Sequence, residues 1–196
     1  MGERKRMNAW RHFRTITKHR LLVCRHCFRV GLFRQGLTHD LSKYSWTEFR
    51  SGVKYYQGTR SPNSRERELV GYSLAWMHHK GRNRHHFEYW TDIDLKSKRY
   101  LPVPMPRRYF VEMVMDRIAA CKTYHGKSYT DGDALEYLVR STEAREGCMM
   151  HPQTRRELEY VLTMLKEQGE AKTFAFLKHV VLKGKPFAQT ETEQEK

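Results

Sequence analysis

The run His39-Asp40-Leu41-Ser42-Lys43 sets a nitrogen ligand, an anionic oxygen ligand and a cation within five consecutive residues. Imidazole and carboxylate are ligands for first-row ions, and the lysine adds a cation within one helical turn of them. Neighbours on a helix point about 100° apart, so His39 and Asp40 share a focus only if a metal or another centre draws them together. The plainer reading is a helix start with a solvated acid. A second unusual stretch runs from His78 to Trp90 and crowds four of the eleven histidines, His78, His79, His85 and His86, into nine residues. Singly each fits polar surface; as a cluster they suit a transition metal. The third feature is Asp116, directly after the largely apolar run Val111 to Met115 and on a face with Tyr109, Met113 and Ala120. A buried carboxylate there must be paired, hydrogen-bonded or metal-bound. Glu112, one turn earlier, projects from nearly the same side. An ion pair with one of the many arginines is the alternative.

The elements that must position these groups are helical. Ile16, Val23, Cys27 and Val30 recur at helical spacing over about Trp10 to Val30, with His12, His19 and His26 seven apart along one edge of the stripe. Gly31 breaks this helix, and residues 32–37 lead into the His39-Asp40 turn. Ser45-Trp46-Thr47-Glu48 has the form of a capping box, which gives Glu48 a structural task at the start of a helix through Tyr56. Residues 58–64 read as a loop, followed by one helix from about Arg65 to Gly81. A further helix spans about Arg107 to Tyr124, a short one follows Asp133, and two more cover about 152–168 and 171–183. No sustained strand alternation, phosphate loop or internal repeat is found, so the fold class is all-α. The organisation is a single helical domain, 1–185, with C-terminal helices over about 133–183. An acidic tail, 186–196, is expected to be disordered.

The 196 residues carry a formal charge of +15, which attracts polyanions or small phosphate-bearing molecules without specifying either. Ten of the lysines and arginines lie within the first 34 residues, against one acid, Glu3. No run approaches the roughly 20 apolar residues that cross a bilayer. Cys24 and Cys27 have knuckle spacing, but Cys121 and Cys148 supply no second pair, and four reduced thiols fit a cytoplasmic location.

Taken in order, His19, the His39-Asp40 doublet and Asp116 resemble the HD-domain superfamily of metal-dependent phosphohydrolases, an all-helical fold. The run His39-Asp40-Leu41-Ser42-Lys43 looks like that superfamily's His-Asp-x-Gly-Lys form, with Ser42 in place of glycine. The resemblance covers about residues 12–125. It implies that His19, His39, Asp40 and Asp116 hold the metal, that Lys43 meets the substrate phosphate, and that a metal-activated water attacks a nucleotide or other phosphoester. Some branches bind a second ion through extra histidines; His79 and His86 are placed for that, with His78 and His85 beside them. The ion would be divalent Mn, Fe, Co, Ni or Zn. Glu112 or a loop histidine would move the proton, and Arg82 and Asn83 would add substrate contacts. The Gly-Tyr-Pro signature of the cyclic-dinucleotide branch is missing. The whole chain also resembles a small bacterial and phage family, without an assigned substrate, that shares the His-Asp-x-Ser-Lys and His-His-Phe-Glu-Tyr-Trp runs.

Within the enzyme reading the charge also leaves an HD-type nuclease open, and two other readings stand beside it on the sequence. A non-catalytic nucleic-acid-binding protein would use Lys and Arg on phosphates and Tyr or Trp on bases. A helical domain could also retain a metal for folding alone.

Overall fold

The computed structural model describes residues 2–143 and 148–187. Its elements are α1 (Gly2–Val30), α2 (Phe33–Thr38), a 3-10 turn (Leu41–Tyr44), α3 (Trp46–Lys54), α4 (Pro62–Val70), α5 (Leu74–Lys80), strands β1 (Thr91–Ile93) and β2 (Tyr100–Pro102), α6 (Arg107–His125), α7 (Asp133–Glu143) and α8 (Pro152–His179). The chain is all-α; β1 and β2 form a small antiparallel hairpin that the sequence reading lacks. Three residues per strand are too few to show an alternation.

Helix α6 is the centre of the packing. Phe110, Val111, Met113, Val114, Met115, Ile118 and Ala119 bury almost all round it, the mark of a helix enclosed by others. Against it lie Val23, Cys27 and Val30 of α1 and Leu158, Val161, Leu162 and Leu165 of α8. The inward stripe of α1 changes character along its length: His12, Ile16 and His19 are buried toward one end, and Val23, Cys27 and Val30 toward the other. One amphipathic helix thus serves a polar site and the apolar core on the same face.

Several expectations need correction. The helix expected from Arg65 to Gly81 is broken at Gly71, whose φ of +87° suits glycine, and it starts earlier, at Pro62, inside the expected loop. α3 stops at Lys54. The two expected C-terminal helices, 152–168 and 171–183, are present: α8 is two helical segments that meet at a kink on the non-helical Gly169 (φ +75°), the second ending at His179. The expected tail begins too early: Phe187 is buried at 2% exposure and packs its ring against Phe110, Tyr160 and Phe176. The rest of that tail, 188–196, lies outside the described residues. Among the described residues no helix is long and apolar enough to cross a membrane.

Candidate metal centre

The doublet does not sit on a helix, and that resolves how two adjacent residues face one point. α2 ends at Thr38, His39 is extended (φ −50°, ψ 129°), and Asp40 takes the left-handed conformation (φ 53°, ψ 25°) before the 3-10 turn begins. Aspartate tolerates this region better than most residues, and such backbone strain is typical of functional sites. Arg20 Nε donates to the His39 carbonyl at 2.7 Å and fixes the turn from α1.

Around that turn, His19 from α1, His39, Asp40 and Asp116 from α6 converge. His19 Nε2 lies 2.9 Å from Asp116 Oδ1 and 3.6 Å from Asp40 Oδ2; His39 Nε2 lies 3.3 Å from Asp40 Oδ2 and 3.5 Å from Asp116 Oδ1. Ligand atoms placed about 2.0–2.2 Å from one ion would stand about 3.0–3.6 Å apart, so these separations have the size of a coordination polyhedron's edges. His19 Nε2, His39 Nε2 and both Asp40 oxygens are buried without an aligned hydrogen bond among the described residues. Buried polar atoms are rarely left so. Three of them, His19 Nε2, His39 Nε2 and Asp40 Oδ2, gather with Asp116 Oδ1, and this set of two imidazoles and two carboxylates fits a divalent ion.

Asp40 faces two ways. Its Oδ1 lies 3.3 Å from His79 Nε2 and 3.4 Å from His85 Nε2, and a second group of Asp40, His79, His85 and His86 is close enough to hold an ion. Of the four histidines expected to contribute, His79, His85 and His86 gather at Asp40. His78 does not: its Nδ1 turns to Glu48 Oε1 at 2.7 Å.

Two glutamates hold the rings from behind. Glu112 Oε1 lies 2.9 Å from His39 Nδ1 and 3.3 Å from His85 Nδ1, and Glu48 Oε2 lies 2.8 Å from His79 Nδ1. A carboxylate on the far nitrogen fixes the tautomer and turns the near nitrogen toward a metal. Glu112, one of the groups expected to move the proton, is buried behind the imidazoles and engaged with two of them, the geometry of a positioning group. The expectation for Glu48 needs correction. Ser45 Oγ does accept from the Glu48 amide, at 3.5 Å, but the carboxylate goes to His78 and His79 instead of reaching back. Asn83, expected at the substrate, points inward: its Nδ2 donates to Ser42 Oγ at 2.8 Å and to the His79 carbonyl at 2.8 Å. Ser42, where the resembled motif has glycine, thereby links the doublet turn to the histidine loop.

The electrostatics follow from this crowding. Burial favours neutral His39, yet the carboxylates of Asp40, Asp116 and Glu112 outweigh it and raise its pKa well above the ordinary value. Burial would raise Asp40, but His39, Lys43 and His79 hold it well below the usual carboxylate range. For His86, burial and then the nearby His85 and His79 push the pKa well down, so its ring is neutral. Lys43 Nζ lies 2.6 Å from Asp40 Oδ2; burial opposes its charge, and Asp40 and Asp116 more than restore it. Lys43 reaches a small cavity of about 60 Å³ lined also by His12, Gly52, Tyr56 and Tyr124. Arg82 stands apart from that side, exposed on the rim of a larger cleft of about 600 Å³.

None of Cys24, Cys27, Cys121 and Cys148 forms a disulfide. Neither Cys24 nor Cys27 joins a metal-binding group among the described residues, and Cys27 is core. Sequence reasoning missed Glu48 as a positioning group because capping already accounted for it. No curated protein and no solved structure matches the chain. The pattern of one protein family, DUF5662, described as a family of unknown function, matches residues 8–164. That span includes every residue of both histidine and aspartate groups, and on it the chain belongs to this family.

Proposed function

We propose that the protein is a metal-dependent phosphohydrolase of the HD type, acting on a nucleotide or another phosphoester in the cytoplasm. The observation that carries the reading is the convergence of His19, His39, Asp40 and Asp116, the first three with buried polar atoms that lack aligned hydrogen bonds, backed by Glu112 on the far nitrogen of His39. Those four would hold one divalent ion of the Mn, Fe, Co, Ni or Zn class. Asp40 would be shared with a second ion at His79, His85 and His86. Bound there, such ions supply Lewis acidity toward a phosphoryl oxygen and make a water acidic enough to act as a nucleophile near neutral pH. The chain's own residues supply the rest. Glu112 and Glu48 keep the imidazoles in register, which avoids reorganisation when charge develops. Lys43, held charged beside Asp40 and reaching the cavity, would pair with a phosphoryl oxygen.

The test joins metal analysis of purified protein to hydrolysis of a phosphoester panel with added manganese, iron, cobalt, nickel or zinc. His39→Ala and Asp116→Ala should lose both the metal and the turnover. Full metal occupancy in both variants would remove the site, and a metal-loaded wild type inert on every ester would remove the activity.

One observation favours a nucleic-acid substrate or ligand. Trp10 and Trp46 are 61% and 74% exposed; Trp10 stacks on Phe13, and Arg50 lies over Trp46. Aromatics interleaved with arginine suit stacking on bases. Binding of a single strand that falls steeply with salt, and survives His39→Ala, would support the non-catalytic form of this reading.

A further inference from the structure

The larger cleft is lined by Arg34 and Thr38 of α2, Arg82, Asn83 and Arg84 of the histidine loop, and Arg108 and Tyr109 in the first turn of α6. All four arginines are exposed, and none is paired with a carboxylate among the described residues. Arg84 is pre-set: its guanidinium lies over the rings of Tyr89 and Tyr109, and its Nη1 donates to Tyr109 Oη at 3.3 Å. A guanidinium held by aromatic faces loses little freedom on meeting an anion. The cleft's size falls within the range of small-molecule sites, about 300–1,000 Å³.

The floor of the cleft is His39, His85 and Glu112. Both imidazoles present Nδ1 to Glu112 and Nε2 to the aspartates, so the cleft meets the rear edge of the rings, whereas Lys43 lies on the Asp40 side and lines the other cavity. A phosphate in the cleft would face the Glu112 carboxylate and the Nδ1 edges of the two rings. Four guanidiniums without carboxylate partners among the described residues, from three chain segments, therefore surround a volume that meets His39 and His85 on their Nδ1 edges, where Glu112 stands, and not on the Nε2 edges that face the aspartates.

We propose that this arginine cleft is a second anion site, separate from the metal centre, which takes a compact small molecule carrying two or more phosphate groups. Guanidinium forks match phosphate oxygens in pairs, and four charges around one cleft of about 600 Å³ call for a ligand whose phosphates are close together. A nucleic-acid backbone would need an extended track instead. The inference does not depend on hydrolysis at the metal centre, and the experiment keeps the two apart.

Inorganic tripolyphosphate is titrated calorimetrically into the full chain at about 150 mM salt, which suppresses contacts owed to net charge alone. Wild type stripped with a chelator and dialysed, Asp116→Asn, the double variant Arg34→Ala/Arg108→Ala, and Arg50→Ala as a remote control are compared. Stripped wild type, Asp116→Asn and Arg50→Ala should bind with equal affinity. The double variant should bind at least about 30-fold more weakly, as two charge-assisted contacts are lost, with its circular dichroism unchanged. Equal affinity in the double variant overturns the proposal. So does loss of binding on metal removal or in Asp116→Asn, which would place the anion at the metal centre. A 20-nucleotide single strand that binds more tightly than tripolyphosphate, with the same arginine dependence, overturns it in favour of nucleic acid.

Discussion

Replacing Glu112 with glutamine removes one charge and almost no volume from a buried position, and it acts on two rings at once. Glu112 Oε1 is 2.9 Å from His39 Nδ1 and 3.3 Å from His85 Nδ1, and Glu112 is 5% exposed. Its pKa is lowered because, although burial opposes ionisation, His39 and His85 both bond to its charged form. Glutamine offers the same reach without the charge, so both imidazoles become poorer ligands and lose their fixed orientation. Loss of one such orienting partner weakens metal binding about 10–100-fold. Tenfold is about 1.4 kcal/mol. With the ion well above its dissociation constant, the stabilisation it gives falls by that same amount. In a domain of this size about 2–4 °C accompanies each kcal/mol, so the metal-induced rise in Tm should shrink by about 3–6 °C or more. The assay is thermal unfolding of Glu112→Gln and wild type across a manganese or zinc titration, with metal content measured on the same samples. Glu170→Gln, whose carboxylate pairs with Arg29 and Lys122 away from the centre, is the control. An unchanged metal-induced rise in Glu112→Gln would refute the view that this carboxylate positions the ligands.

Three further outcomes follow from other parts of the molecule. Gly52→Ala would put a Cβ 2.1 Å from His12 Nε2; it should cost about 1–3 kcal/mol in urea unfolding, and His12→Ala in the same chain should recover much of that loss. His26 is held neutral, its pKa lowered to about 4 by burial and by Lys122. Its unfolded value is higher, near 6.5, so the unfolded chain binds more protons between those limits. The stability it contributes, up to about 3 kcal/mol, is therefore complete above pH 6.5 and drains away as pH falls toward 4. His26→Leu should flatten the urea midpoint against pH over that window, and parallel profiles would sink the assignment. Phe187→Ala should destabilise by about 3–5 kcal/mol, and an unfolding midpoint like wild type's would return the end of the domain to residue 185.

Helical class was legible in the chain because apolar spacing at three and four residues is a local property. That His19, the His39-Asp40 doublet and Asp116 belong together was legible too, since side chains able to hold a metal can be read from residue type alone. What the sequence could not convey was direction. Whether His78 or His79 faces Asp40 turns on how α5 rotates against α3, and there the Glu48 carboxylate takes one ring away and steadies the other. The left-handed turn at Asp40 decides that two neighbours share a focus, and no helical periodicity describes such a turn. Arg34, Arg84 and Arg108 gave no signal in sequence because they lie far apart along the chain and meet only once α2, the histidine loop and α6 pack together. Residue types and their local periods are carried by the polypeptide. Which side chains converge, and which carboxylate stands behind which ring, is set by contacts between segments that only the folded chain brings together.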